Sequence, residues 1–144
     1  MSVAEPYGSG SLAVFDTSAW NRQRAAGEVS PRWRATLAAE TLTVCPVVAL
    51  EILASARDEA AFRRLDSALA ALPQAPVTRA GCAAALAASR ELGGSRRLPA
   101  ADYLIAAAAA ERGAAVLHYD RHFEPLCAAL GIESIWIAEP GSLD

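Results

Sequence analysis

An α/β fold, with a short parallel sheet covered by helices, is what this sequence predicts. Short apolar runs of strand type alternate with longer stretches of helical periodicity, which is the pattern of βαβ units. No internal repeat, low-complexity block or linker-like stretch divides the 144 residues, so one domain with a single core is expected. Hydrophobic residues make up 53% and charged residues 20%, a globular rather than a disordered balance.

Residues 1–11 hold Gly, Ser, Pro and Glu without periodicity and read as a loose tail. The domain itself is expected over residues 12–138, with a polar tail at 139–144. Residues 12–15 form the first strand, ending at Asp16-Thr17-Ser18; those polar residues could equally serve only to cap the helix that follows. A helix begins at Ser30-Pro31 and runs through Trp33, Leu37 and Ala38. Residues 41–45 make the next strand, and Pro46 opens a helix over 47–57 that contains Glu51. Asp58 caps a further helix whose Phe62, Leu65, Leu69 and Leu72 recur at three- and four-residue spacing. Pro73 and Pro76 break the chain, 76–77 reads as a short strand, and Thr78 caps a helix over 79–92.

The segment Gly93-Gly94-Ser95-Arg96-Arg97 is the most loop-like internal stretch, flexible and basic. Pro99 then opens a helix that Gly113 closes. From Tyr103 to Ala110 nothing is charged, so this helix is apolar on every face and is expected to lie buried. Residues 115–119 form a strand ending at Asp120. A short helix covers 121–130, Gly131 stops it, and 132–137 is the last strand.

Bulk properties exclude several classes of function. No apolar run approaches the roughly 20 residues needed to span a bilayer. The N-terminus lacks the basic and apolar regions of a secretory signal, so a soluble cytoplasmic protein is expected. Cys45, Cys82 and Cys127 are widely spaced with no CxxC, and each falls in an apolar segment; buried free thiols are expected, not a zinc site. A net charge of −3 argues against a protein that simply coats nucleic acid. All 13 basic residues are arginine, whose fork suits phosphate, although base composition of the coding DNA gives the same bias.

Four acids stand apart. Asp16 and Asp120 each follow a strand directly, and ligands of open parallel sheets bind outside the carboxyl ends of the strands. Asp102 lies in the first turn of the apolar helix, with no base three or four residues away. Glu51 lies in Val47-Val48-Ala49-Leu50-Glu51-Ile52-Leu53-Ala54, again without a basic neighbour at helical spacing. Singly, each has a plain explanation: a cap for Asp16 or Asp120, the helix dipole for Asp102, a distant arginine for Glu51. Together, two acids that end strands and two on apolar helices suggest one crevice. Clustered carboxylates repel and raise one another's pKa, which makes them poor acid–base devices but good traps for hard divalent cations. Magnesium completes its shell with water and substrate phosphate, an arrangement that fits phosphodiester hydrolysis.

These residues resemble the PIN-domain nucleases, and among them the VapC-type toxins of toxin–antitoxin pairs. The matching pieces are Val14-Phe15-Asp16-Thr17-Ser18, Val48-Ala49-Leu50-Glu51-Ile52-Leu53, the segment from Arg97 through Pro99 and Asp102 to Ala107, and Leu117-His118-Tyr119-Asp120-Arg121-His122-Phe123. The likeness covers nearly the whole chain, and the segment around Asp102 is its most specific part. The resemblance implies a PIN-like three-layer α/β/α sandwich and an endoribonuclease dependent on Mg2+ or Mn2+, with tRNA, rRNA or mRNA as substrate. It implies a homodimer inhibited by a small VapB-type antitoxin. By matching position, Asp16, Glu51, Asp102 and Asp120 become the acidic, metal-binding and catalytic cluster. Asp16 and Asp102 are expected as direct ligands, with Glu51 and Asp120 acting through metal-bound water. Thr17 or Ser18 would hold the site by hydrogen bonding.

One departure is that many relatives carry a further acid where this chain has His122. His118-x-Asp120-x-His122 can also be read as a transition-metal trio, but strand alternation breaks once a helix starts after Asp120. Arg96, Arg97 and Arg121, with Arg22 and Arg24, are candidates to hold RNA phosphates, beside the alternative of solvated surface arginines. Trp20 and Trp33 could stack on bases or meet an antitoxin, core or dimer packing being the commoner fate of tryptophan. Two other functions fit the same residues: an RNA-processing nuclease with no toxin role, and a non-catalytic PIN-like binding module.

Overall fold

The computed structural model describes residues 12–25, 27–95 and 97–143. The expected tail at 1–11 and Arg96 lie outside these. Four short strands, β1 (Ala13–Phe15), β4 (Leu42–Thr43), β5 (Ala115–His118) and β6 (Ser134–Trp136), form one parallel sheet in the order β4-β1-β5-β6. Ala13 pairs with Leu42 on one side and Ala115 on the other, which fixes the register at the centre. From β1 the chain continues to β4 on one side, and from β5 it continues to β6 on the other, so these connections run in opposite directions along the sheet. A crevice therefore opens at the carboxyl ends of β1 and β5. Ala13, Val14, Phe15, Val116 and Leu117 are all fully buried, as continuous apolar strands under helices must be.

Among the described residues seven α-helices surround the sheet: α1 (Thr17–Asn21), α2 (Pro31–Ala38), α3 (Pro46–Ala54), α4 (Glu59–Ala70), α5 (Arg79–Leu92), α6 (Ala100–Glu111) and α7 (Phe123–Leu130). Their starts follow side-chain chemistry. Ser30, Asp58 and Thr78 each accept a hydrogen bond from a first-turn N–H, that of Trp33, Ala61 and Gly81 respectively. Pro31 and Pro46 sit in first turns, where no N–H is missed. Gly131, at φ 71°, ends α7 in the left-handed conformation. In α6, Asp102, Tyr103 and residues 105–109 are buried, and the helix touches α5, α7, β1 and β5. Trp33 is buried and Trp20 partly so. Both rings pack on Phe15, at 5.2 and 5.8 Å between centroids, so the tryptophans belong to the core.

Several elements differ from expectation. A small antiparallel hairpin, β2 (Arg24–Ala25) with β3 (Glu28–Val29), has strands too short to show alternation in the sequence. No strand forms at 76–77; the pairing is a single parallel bridge between Val44 and Gln74, because Pro73 and Pro76 have no N–H to extend it. Residues Gly93–Ser95 of the expected loop form a 3₁₀ turn. The third helix stops at Ala54, three residues early, where the Ser55 hydroxyl donates to the Ile52 carbonyl. The last helix starts at Phe123 because Asp120 holds the preceding turn, its Oδ1 accepting from the His122 N–H. Cys45 and Cys127 are buried, but Cys82 is exposed: α5 buries Gly81, Ala85 and Ala88, and Cys82 lies off that stripe. After β6 the chain turns back, and the Leu143 N–H donates to the Tyr119 hydroxyl.

Candidate active site

At the carboxyl end of β1, Asp16 caps α1, its Oδ2 accepting from both the backbone N–H and the hydroxyl of Ser18, at 3.0 and 2.6 Å. The same Ser18 oxygen accepts the Tyr119 N–H at 2.9 Å, so one hydroxyl joins the ends of β1 and β5. Thr17 donates to Glu51 Oε1 at 2.6 Å and ties α3 to the start of α1. Glu51 is exposed; Asp16 is buried.

Asp102 enters from the first turn of α6 and is only 8% exposed. Its Oδ2 lies 2.9 Å from His122 Nδ1, which is also 3.4 Å from Asp120 Oδ1. One ligand atom from each of Asp102, Asp120 and His122 falls within 4.8 Å of the other two. Asp16 and Glu51 stand outside this tightest group, yet Asp16 is close enough to feel the charges of Glu51 and Asp102.

Electrostatics follow from that packing. Burial raises the pKa of Asp16, the two Ser18 hydrogen bonds oppose the rise, and Glu51 adds to it. Burial is also the main reason that Asp102 is pushed up to about 6. The His122 contact pulls it down, and the Asp16 and Asp120 charges push it further up. Among the described residues no arginine is ion-paired with any of these four acids; the one arginine–carboxylate pair there is the exposed Arg63–Glu59. Carboxylates that share one crevice, with an imidazole contact and no paired arginine among the described residues, form a donor set suited to a divalent cation.

The other candidates lie around this cluster. Arg121 is exposed, 5.8 Å from the Trp136 ring centre, and Arg97 is exposed. Arg22 stacks on the Tyr119 ring at 4.7 Å, and its Nη1 donates to the Ser18 carbonyl at 3.4 Å, beside both acid-bearing strand ends. His118 does not join His122 in a metal trio. It is fully buried, its Nδ1 accepts the Asp120 N–H at 3.1 Å, and its Nε2 therefore carries the proton donated to Ser134 Oγ at 2.6 Å. Burial holds its pKa down at about 4. His122 is the member that the sequence reading left out of the cluster; its position two residues after Asp120 was the available signal.

The PIN domain family matches residues 13–128. The chain belongs to that family. This PIN domain is 37% identical to ribonuclease VapC18 of Mycobacterium tuberculosis over 133 residues, which are 89% of this chain and 96% of that protein. It is 38% identical to ribonuclease VapC51 of the same organism over 99 residues, 66% of this chain and 71% of that one. Among solved structures it is similar to DNA-bound VapBC from Salmonella typhimurium. There the TM-score is 0.70 at 16% identity, covering 89% of this chain and 99% of the other, a likeness of fold.

Proposed function

We propose that this PIN domain is a Mg2+- or Mn2+-dependent endoribonuclease, the toxin of a toxin–antitoxin pair. The observation that carries the reading is the convergence of Asp102 and Asp120 beside the strand end bearing Asp16, with no arginine among the described residues paired to any of them. Extensive identity to two proteins named as ribonucleases supports the reaction class.

Asp16 and Asp102 would hold the cation directly, while Glu51 and Asp120 would act through its bound water. A divalent cation bound there neutralises charge on the scissile phosphate and lowers the pKa of the attacking water. Ser18 fixes the Asp16 carboxylate, and Thr17 fixes Glu51, so both acids are oriented before substrate arrives. Arg22, Arg97 and Arg121 offer guanidinium groups to flanking RNA phosphates and offset the acidic centre, with Arg96 a further candidate. The substrate is tRNA, rRNA or mRNA. The protein acts as a homodimer in the cytoplasm, and a VapB-type antitoxin silences it.

Asp102→Asn tests the catalytic reading. Purified variant and wild type are given RNA with Mg2+ or Mn2+, and EDTA is added to a parallel sample. Loss of cleavage in the variant and with EDTA, at unchanged circular dichroism, is the expected result; cleavage by the variant at the wild-type rate overturns it. A non-catalytic binding module would show no magnesium uptake dependent on Asp16 in calorimetry.

A further inference from the structure

His122 stands half-exposed at the N-cap of α7, with 42% of its side chain open to solvent. Its backbone N–H is bonded to Asp120 Oδ1 at 3.0 Å, so the turn that positions the carboxylate also aims the ring. Two ligand atoms about 2.1 Å from one octahedral ion are roughly 3 Å apart when adjacent in its shell. His122 Nδ1 stands at 2.9 Å from Asp102 Oδ2 and 3.4 Å from Asp120 Oδ1, close to that spacing. The chain's other histidine, His118, has both ring nitrogens engaged and no exposure.

We propose that His122 supplies a nitrogen ligand to the cation held by Asp102, with Asp120 beside it, and that this donor turns the site's preference from Mg2+ to Mn2+. The proposal rests on the reading of this crevice as a divalent-cation centre. Mg2+ favours a shell of oxygen atoms in near-ideal octahedral geometry, whereas imidazole nitrogen is a borderline donor that transition metals accept readily. Replacing one carboxylate oxygen by imidazole also removes a negative charge, which weakens the purely electrostatic hold on Mg2+ most.

The test uses the chelator-stripped full chain loaded with Mn2+ alone. Electron spin echo modulation is recorded on wild type, on wild type grown with 15N-histidine, and on His122→Asp; calorimetry gives Mn2+ and Mg2+ affinities for the same proteins. Wild type is expected to show 14N coupling that becomes 15N coupling on labelling and is absent in His122→Asp. The Mn2+-over-Mg2+ affinity ratio is expected to fall about tenfold or more in that variant, the scale on which changes close to a metal act. Saturable Mn2+ binding that Asp102→Asn abolishes, but without nitrogen coupling in wild type, overturns the proposal and leaves the cation centre standing. Nitrogen coupling with an unchanged affinity ratio overturns the preference for Mn2+. No saturable Mn2+ binding at all overturns the underlying reading as well. The wild-type spectra decide the ligand question even if His122→Asp fails to fold.

Discussion

Asp102 is asked to be both buried and charged, and the two demands conflict. Its folded pKa of about 6 lies above the ordinary 3.8, so the folded chain binds this proton more tightly than the unfolded chain does. The stabilising contribution is complete below the unfolded value and is lost as pH rises through about 6. At neutral pH without metal, the charged carboxylate therefore destabilises the fold by on the order of 3 kcal/mol at most. His118 acts in the opposite direction: its folded pKa of about 4 lies below the ordinary 6.5, so stability falls as pH drops from 6.5 towards 4. Between these limits the two slopes oppose each other in wild type. Asp102→Asn removes one of them. In EDTA at pH 7 the variant is expected to melt higher than wild type, and its Tm is expected to fall more steeply from pH 6.5 to 4. Calorimetric melts across that range check both, and a variant with the wild-type slope would contradict the raised pKa of Asp102. The burial of Asp102 was legible in the sequence, since an uncharged run from Tyr103 to Ala110 leaves no polar face for that helix. The pairing with His122 was not, because it depends on how α6 meets a turn 20 residues later in the chain.

Between elements, the junction that matters is the one where β1 and β5 end. Ser18 accepts from the Tyr119 N–H and donates to Asp16, so a single side chain spans two strands and the first helix. Ser18→Ala leaves a part-buried N–H without its partner and frees the Asp16 carboxylate to rotate. The expected loss is about 1–3 kcal/mol of unfolding free energy in urea titration. RNA cleavage should fall as well, since Asp16 is no longer held by its strongest hydrogen bond. An unchanged unfolding free energy would mean that water replaces the hydroxyl without loss. Sequence reading reached the strand ends at Asp16 and Asp120 because polar residues close apolar runs there. It could not reach the β2–β3 hairpin, whose two-residue strands carry no period, nor foresee that Pro73 and Pro76 confine pairing to one bridge. Cys82 was misjudged for a related reason: in an alanine-rich helix, small residues occupy both the buried and the exposed faces, so neighbours in sequence do not identify the core side.

At the scale of the molecule, the proposed ribonuclease activity asks a chain of net charge −3 to bind a polyanion at an acidic crevice. General electrostatic attraction cannot supply the affinity, so a few placed guanidinium groups and the bound cation must. The described candidates are Arg22, fixed on Tyr119, and the exposed Arg97 and Arg121. If these three neutralise three phosphates of a single-stranded RNA, log K against log salt should have a slope of about −2. Cleavage would obscure the measurement, so an analogue with methylene in place of the bridging oxygens, which keeps the phosphate charge but has no P–O bond to break, is titrated into wild type by fluorescence anisotropy at fixed Mg2+ and varied KCl. Arg22→Ala is expected to make the slope shallower by about 0.7, the release expected for one phosphate contact on a single strand. Arg121→Ala should do the same if its place near Trp136 lies on the RNA path, whereas a surface arginine away from that path leaves the slope untouched. A wild-type slope near zero would mean that RNA is held by the metal and by base contacts alone, and that the arginines serve another surface.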